Sequence, residues 1–413
     1  MGVVLLSTLI HAVLIAYGEW RDSNVHGGYT DVDYWVYSDA AAHVYNGRSA
    51  FDRHTYRYSP LLAWLLVPNE FLVGWWGKAL FSLAGIISGV LIYKLTNRSV
   101  LYASLWLFSP LTLNISTRGS SDSLIILLIL LVFYEMKAGK YNWAAIWFGL
   151  AVHLRIFPIF FLLPITLHLQ SWKKAFQFAV ISEGVCLGLI GLFYIQDGYR
   201  FLHEAYLYHF VRKDHRHNFS LFYYATYLAS GVDPSSFLVK ALTFAGFVPQ
   251  LGSLVFVGFR YGRENFIFAI FLQTILFVAF NKVITAQYFL WFFGLVPVVL
   301  PMVVQSHKQV VPIVIVLLFW GLTEVAWLKA SHRLESEGEH NFKELLAAST
   351  ALFFAHIAIC VVFIRALAHN RVTKREVKPA TKATVKKPAK KPETAELVEA
   401  VRTARTTRRR NVE

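Results

Sequence analysis

The chain has 413 residues, 56% of them hydrophobic and only 16% charged, with a mean hydropathy of +0.47. That is too apolar for an ordinary soluble domain and too long for one membrane anchor, so composition specifies a polytopic membrane protein. The net charge of +15 does not make it a nucleic-acid binder: residues 371–413 hold 14 Lys/Arg against 5 Asp/Glu, which puts nine of the fifteen excess charges in one tail.

Apolar runs suited to membrane helices, or to the shorter helices of a bundle interior, are expected near 2–17, 75–94, 98–114, 123–137, 142–153, 156–170, 174–195, 236–258, 264–280, 285–304, 309–328 and 344–366. The expected fold is therefore all-α and polytopic, with about 12 spans and both termini on one side. The first run lacks a basic n-region and is followed by the poor cleavage sequence Tyr17-Gly18-Glu19-Trp20, so it reads as a retained span. Residues 1–370 make one membrane domain. Residues 371–413, with almost no large apolar side chains, read as a disordered basic cytosolic tail facing anionic lipid. Cys186 and Cys360 lie in apolar runs and offer neither a disulfide framework nor a thiolate metal site.

After the first span comes Tyr29-Thr30-Asp31-Val32-Asp33-Tyr34, followed by Ser38-Asp39. Carboxylates this dense beside a membrane are costly unless they bind or react. In an extended segment Asp31 and Asp33 point the same way, so one can act while the other orients. Thr55-Tyr56-Arg57-Tyr58-Ser59-Pro60 then presents an arginine between two rings, suited to a phosphate or to stacking at the headgroup boundary. The apolar stretch from Ser59 to Phe71, interrupted by Pro60 and Pro68, predicts a short interfacial or re-entrant helix.

Between the third and fourth spans, Ser116-Thr117-Arg118-Gly119-Ser120-Ser121-Asp122 suits a helix N-cap and equally an anion. His153-Leu154-Arg155 falls between two short spans at the same level, where His and Arg either snorkel or line a polar cavity; the shortness of the flanking spans favours the cavity. The cluster Arg212-Lys213-Asp214-His215-Arg216-His217-Asn218 has a spacing that matches no standard zinc site and suits a phosphate better. Asn281-Lys282 and Gln287-Tyr288 complete the set on that face. Glu183 and Glu324, inside apolar runs, would be central to a lipid flippase or transporter, but no internal repeat stands out. No Walker or Rossmann glycine loop is present, so the chain offers no soluble nucleotide-binding domain.

Together these segments, with Phe280-Asn281-Lys282-Val283-Ile284-Thr285-Ala286-Gln287-Tyr288-Phe289-Leu290-Trp291, resemble the PIG-M family of GPI mannosyltransferases I, within the GT-C glycosyltransferases. The resemblance runs in order from residue 29 to about 300; the tail after 370 has no counterpart. It implies transfer of mannose from dolichyl-phosphate mannose to glucosaminyl-(acyl)phosphatidylinositol, α-1,4-linked and with inversion. It places the active site in a long first loop on the lumenal side of the endoplasmic reticulum membrane and implies a small PIG-X-type membrane subunit. The family's acidic motif maps onto Asp31 and Asp33 without choosing between them. An Asp-Tyr pair in the first loop, resembling that of related lipid-phosphate-sugar glucosyltransferases, makes Asp33 the expected base and Asp31 the acceptor-orienting group. The expected substrate-binding set is Tyr34, Asp39, Arg57, Tyr58, Arg118, Asp122, His153, Arg155, Arg212, Lys213, Arg216, His217, Asn218, Lys282 and Gln287. No cofactor is required; a divalent cation is compatible with the D-x-D but not demanded, since only one phosphate needs charge stabilisation. A related enzyme with an N-glycan or protein acceptor is the nearest alternative.

Overall fold

The computed structural model describes residues 1–211, 218–233 and 236–376. Residues 1–367 form one compact unit. Among the described residues there are helices and turns and no strand.

The first span, α1 (Gly2–Asn24), leads into a folded loop made of α2 (Val32–Tyr45), α3 (Pro60–Leu66) and α4 (Pro68–Phe71). Ser59 caps α3 by accepting from the Leu61 N–H, with Pro60 at the first helical position, where a missing N–H costs nothing. These two short helices stand where the proline-interrupted stretch was expected. The loop has its own core, in which Tyr34, Tyr37, Phe51, Tyr56, Leu62 and Leu66 pack against Phe81 and Phe201.

The bundle follows with α5 (Trp76–Leu95), α6 (Val100–Leu107), α7 (Pro110–Thr117), α8 (Asp122–Lys137), α9 (Tyr141–Leu154), α10 (Leu162–Leu169) and α11 (Trp172–Leu202). The run expected as one span over 98–114 breaks in two. Pro110 cannot donate to the preceding turn, and Ser109 before it is extended at φ −62°, ψ 126°. α7 and α8 meet at a bend of 119°, which turns residues 118–121 into the interior of the loop region. α11 runs past its expected end and kinks at Gly198 (φ 61°, ψ −147°).

Beyond it lie α12 (Tyr208–Val211), α13 (Tyr223–Ala229), α14 (Phe237–Tyr261), α15 (Phe266–Ala279), α16 (Phe289–Phe293), α17 (Val296–Val303), α18 (His307–Glu335) and α19 (Phe342–Glu376). The 285–304 run is likewise bent, by 42° between α16 and α17. Five of the described helices are long and apolar enough to cross a membrane, seven if each bent pair is one crossing, with shorter apolar helices at Phe157–Leu169 and Phe266–Ala279. The protein is a multi-pass membrane protein. Its large core joins α8, α9, α15 and α16 through rings such as Phe133 on Phe266, at 5.6 Å, and Phe157 stacked on Trp291, at 4.0 Å.

Candidate active site

The Asp-x-Asp segment is not extended. Asp31 is the N-cap of α2 and its carboxylate accepts the Asp33 N–H at 2.9 Å, so Asp33 sits in the first helical turn. An Asp followed by helix-forming residues satisfies the orphan N–H groups of that turn, which outweighs the extended alternative. Burial raises the Asp31 carboxyl above its ordinary value, and the adjacent Asp33 charge adds to it.

The segment is anchored from behind by the 118–121 turn. The Asp31 N–H donates to the Arg118 carbonyl at 2.9 Å, and Arg118 Nε donates to the Tyr29 carbonyl at 2.8 Å. Gly119 makes this approach possible: its φ is +95°, and a Cβ there would lie 2.3 Å from the Tyr34 ring. Gly119→Ala is expected to destabilise the fold by at least about 1–2 kcal/mol from the left-handed backbone alone, with the ring clash added. Thermal unfolding in detergent checks it.

A second anchor was not anticipated from sequence. Lys78, 1% exposed in the first turn of α5, pairs with Glu19 at 2.5 Å and Asp22 at 3.5 Å, and donates to Thr30 Oγ1 at 2.5 Å. Asp22 in turn accepts the N–H groups of Tyr29 and Thr30. The available signal was the Glu19/Asp22 spacing, three residues on one helix face, with a lysine at the matching end of the next span. Lys78→Met removes charge-assisted bonds worth about 1.5–3 kcal/mol, so both the melting temperature and the turnover number should fall, with substrate KM less affected.

In front of α2 the side chains converge from distant parts of the chain. Gln287 Nε2 donates to Asp33 Oδ2 at 2.9 Å, across 254 residues. Asp122, fully buried at the start of α8, faces Arg155 Nη2 at 3.0 Å, an ion pair without hydrogen-bond alignment. The Arg155 guanidinium lies 5.0 Å from the centre of the Tyr58 ring. Tyr58 meets Tyr37 edge-on at 4.7 Å, and Ser121 Oγ donates to the Tyr37 hydroxyl at 3.4 Å. Burial holds both phenols well above 10, with the Asp33 charge pushing the same way and Arg155 opposing it. Tyr288, stacked on Trp291 at 4.3 Å, lies within electrostatic reach of Arg155. The centre thus holds one carboxylate steadied by an amide, a buried ion pair and an aromatic wall. That combination can remove a proton and stabilise negative charge nearby.

The structure brings together Asp31, Asp33, Tyr58, Asp122, Arg155 and Gln287 from the expected set, and adds Tyr37, Ser121, Tyr288 and Trp291. It gives several others a structural role instead. Tyr34, 1% exposed, wedges its ring between Gly77 and Gly119 and donates to the Gly74 carbonyl at 2.7 Å, so it has no surface to offer a substrate. His153 is 1% exposed and bonded to Ser59 Oγ at 2.7 Å and to the Tyr206 hydroxyl at 3.0 Å; it ties α9 to the first loop rather than lining a polar cavity. Asn218 is a buried clasp that donates to the Lys282 carbonyl at 2.6 Å and accepts from Ser220 N–H at 3.1 Å.

Arg118 positions Asp31, as described above. Asp39 is exposed and paired with Arg53 at 2.7 Å. Arg57 is paired with Glu204, with its guanidinium 4.4 Å from the centre of the Tyr208 ring. Lys282 is half-buried. Arg212, Lys213, Arg216 and His217 lie outside the described residues.

Comparison with known proteins adds an independent line. A family model described as Mannosyltransferase (PIG-M) matches residues 115–364. GPI mannosyltransferase 1 of Dictyostelium discoideum is 35% identical, covering 90% of this chain and 92% of its own. The GPI alpha-1,4-mannosyltransferase I catalytic subunit of Danio rerio is 36% identical over 87% of this chain and 95% of its own. GPI mannosyltransferase 1 of Saccharomyces cerevisiae is 34% identical over 86% and 92%. Among solved structures, ArnT from Cupriavidus metallidurans bound to undecaprenyl phosphate aligns over 94% of this chain and 82% of its own, at a TM-score of 0.46 and 11% identity. That likeness is too distant to carry weight here. With a family model over more than half its length and relatives above 30% identity over most of it, the chain belongs to the PIG-M mannosyltransferase family.

Proposed function

We propose that this mannosyltransferase moves mannose from dolichyl-phosphate mannose onto the glucosamine of glucosaminyl-(acyl)phosphatidylinositol, forming the first, α-1,4-linked mannose of a GPI anchor. In this reading it is a GT-C-type enzyme of the endoplasmic reticulum membrane, with the Asp33 centre on the lumenal side and the basic tail in the cytosol. The observation that carries the chemistry is the Asp33–Gln287 bond beside the Asp122–Arg155 pair, in a chain whose relatives bear the name GPI mannosyltransferase.

Asp33 takes the proton of the acceptor hydroxyl while that oxygen attacks the anomeric carbon, and the β-linked donor becomes an α-mannoside with inversion. Gln287 holds one carboxylate oxygen and so fixes the direction from which Asp33 works. Asp31 caps the helix that presents Asp33. The leaving group is a lipid phosphate, and Arg155, which Asp122 holds in a dry site, has guanidinium N–H groups to offer it. Tyr37, Tyr58, Tyr288 and Trp291 supply rings against which a sugar can stack. The reading does not demand a divalent ion, because a single leaving phosphate needs charge stabilisation and Arg155 can supply it; a divalent cation remains compatible with it.

The Danio rerio relative is named a catalytic subunit, which supports a further subunit as partner; in this reading that partner is a small accessory membrane protein of the PIG-X type. The experiment is rescue of surface GPI-anchored proteins in cells that lack this first mannosyl transfer, with the chain supplied alone and with such a subunit. Restored surface display supports the reading; a chain that is expressed and folded with the subunit yet restores nothing contradicts it.

A further inference from the structure

A second built feature lies at the far end of α8. From Asp122 the helix runs 16 residues to Lys137, a length of about 24 Å, so the turn after it sits at the opposite end of the bundle from Asp33. There the α8–α9 turn and the first turns of α11 line a half-open groove of about 510 Å³, within the range of small-ligand sites. Its polar lining is Lys140, Asn142, Lys174 and Gln177, and among the described residues none of its lining is acidic.

The groove is braced rather than incidental. Gln177 Nε2 donates to Asn142 Oδ1 at 2.9 Å, cross-linking α9 to α11. Lys174 Nζ stands 5.0 Å from the centre of the Tyr141 ring, which holds one ammonium at the groove. The floor is Phe178, 1% exposed and packed on Phe148 at 5.7 Å. Trp143, which lines it, is 55% exposed, and Trp172, at the start of α11 two residues before Lys174, is 75% exposed, as indoles at a membrane–water boundary are.

We propose that this groove binds the phosphate headgroup of an anionic phospholipid of the leaflet this end meets. Lys140 and Lys174 pair with the phosphate, the Asn142–Gln177 pair hydrogen-bonds the headgroup, and Trp143 and Trp172 lie along the upper acyl chain. Two cations with no acid between them ask for an external anion, and the exposed indoles select one that carries hydrocarbon. A free phosphate would meet the lysines but gain nothing from the tryptophans.

The test uses the full-length protein in nanodiscs of phosphatidylcholine with and without phosphatidylinositol, comparing retained lipid by native mass spectrometry and melting temperature by intrinsic fluorescence. Phosphatidylinositol should be retained by the wild type and raise its melting temperature. The Lys140→Gln/Lys174→Gln protein should retain it about tenfold or more less well, and the Lys140→Arg/Lys174→Arg protein should behave as wild type. Equal retention by wild type and the glutamine variant would overturn the proposal, as would displacement of the lipid by inorganic phosphate. Mannosyl transfer plays no part in the readout, and the loss expected in the Lys140/Lys174 variant separates lipid held in this groove from phosphatidylinositol held at the Asp33 centre, which those substitutions leave unchanged.

Discussion

Asp33→Asn should lower the turnover number about 10²- to 10⁴-fold while the protein keeps its melting temperature, because Asn preserves the side-chain shape and can still hydrogen-bond Gln287. Asp31→Asn should behave quite differently. Asn caps a helix as well as Asp does, so the α2 N-terminus survives and activity stays within about tenfold of wild type. Asp31→Ala removes the cap, costs about 1 kcal/mol of stability and lowers activity by loosening the turn that carries Asp33. Single-turnover assays on purified variants, with thermal unfolding run in parallel, separate the two aspartates. Equal loss in both Asn variants would mean the chemistry is shared between them; undiminished activity in both would remove the loop from the mechanism.

Arg155→Ala should be among the most damaging single changes to folding. Asp122 is fully buried opposite it, and removing one partner of a buried ion pair leaves an uncompensated charge, at about 3–5 kcal/mol. Arg155→Gln/Asp122→Asn removes both charges and leaves two groups that can hydrogen-bond, so its melting temperature should lie well above that of Arg155→Ala. Its mannosyl transfer should remain absent if Arg155 receives the leaving phosphate as proposed, because the guanidinium is gone. A double variant that folds and retains activity would assign the pair to stability alone.

The helical, membrane-embedded architecture was legible because hydropathy over a dozen runs is a one-dimensional signal, and each run expected from it corresponds to helix in the described residues. The breaks were harder to read. Pro110 was visible, yet the 119° turn at 118–121 depends on Gly119 fitting against Tyr34, a contact between residues 85 positions apart. Similarly, Asp33 and Gln287 were both evident as candidates, whereas the bond between them depends on how α2 packs against the segment before α16.

Polar residues in apolar surroundings attract a functional reading, but many serve the backbone. His153, Asn218 and Tyr34 satisfy hydroxyls, N–H groups and carbonyls at turns, as buried polar groups must. Lys78 was missed for the converse reason: one cation inside an apolar run reads as part of a span until Glu19 and Asp22 are seen beside it.

The proposal that the Asp33 centre passes mannose from a lipid phosphate to a glucosaminyl lipid has a direct biochemical test. Membranes that contain the wild-type chain or Asp33→Asn are incubated with labelled dolichyl-phosphate mannose and glucosaminyl-phosphatidylinositol, and the labelled product is identified. Label is expected in one mannosylated glucosaminyl lipid, released by α-mannosidase and missing from the Asp33→Asn membranes. Label in protein or in an N-glycan precursor, or a glucosaminyl-lipid signal that survives Asp33→Asn, would contradict it.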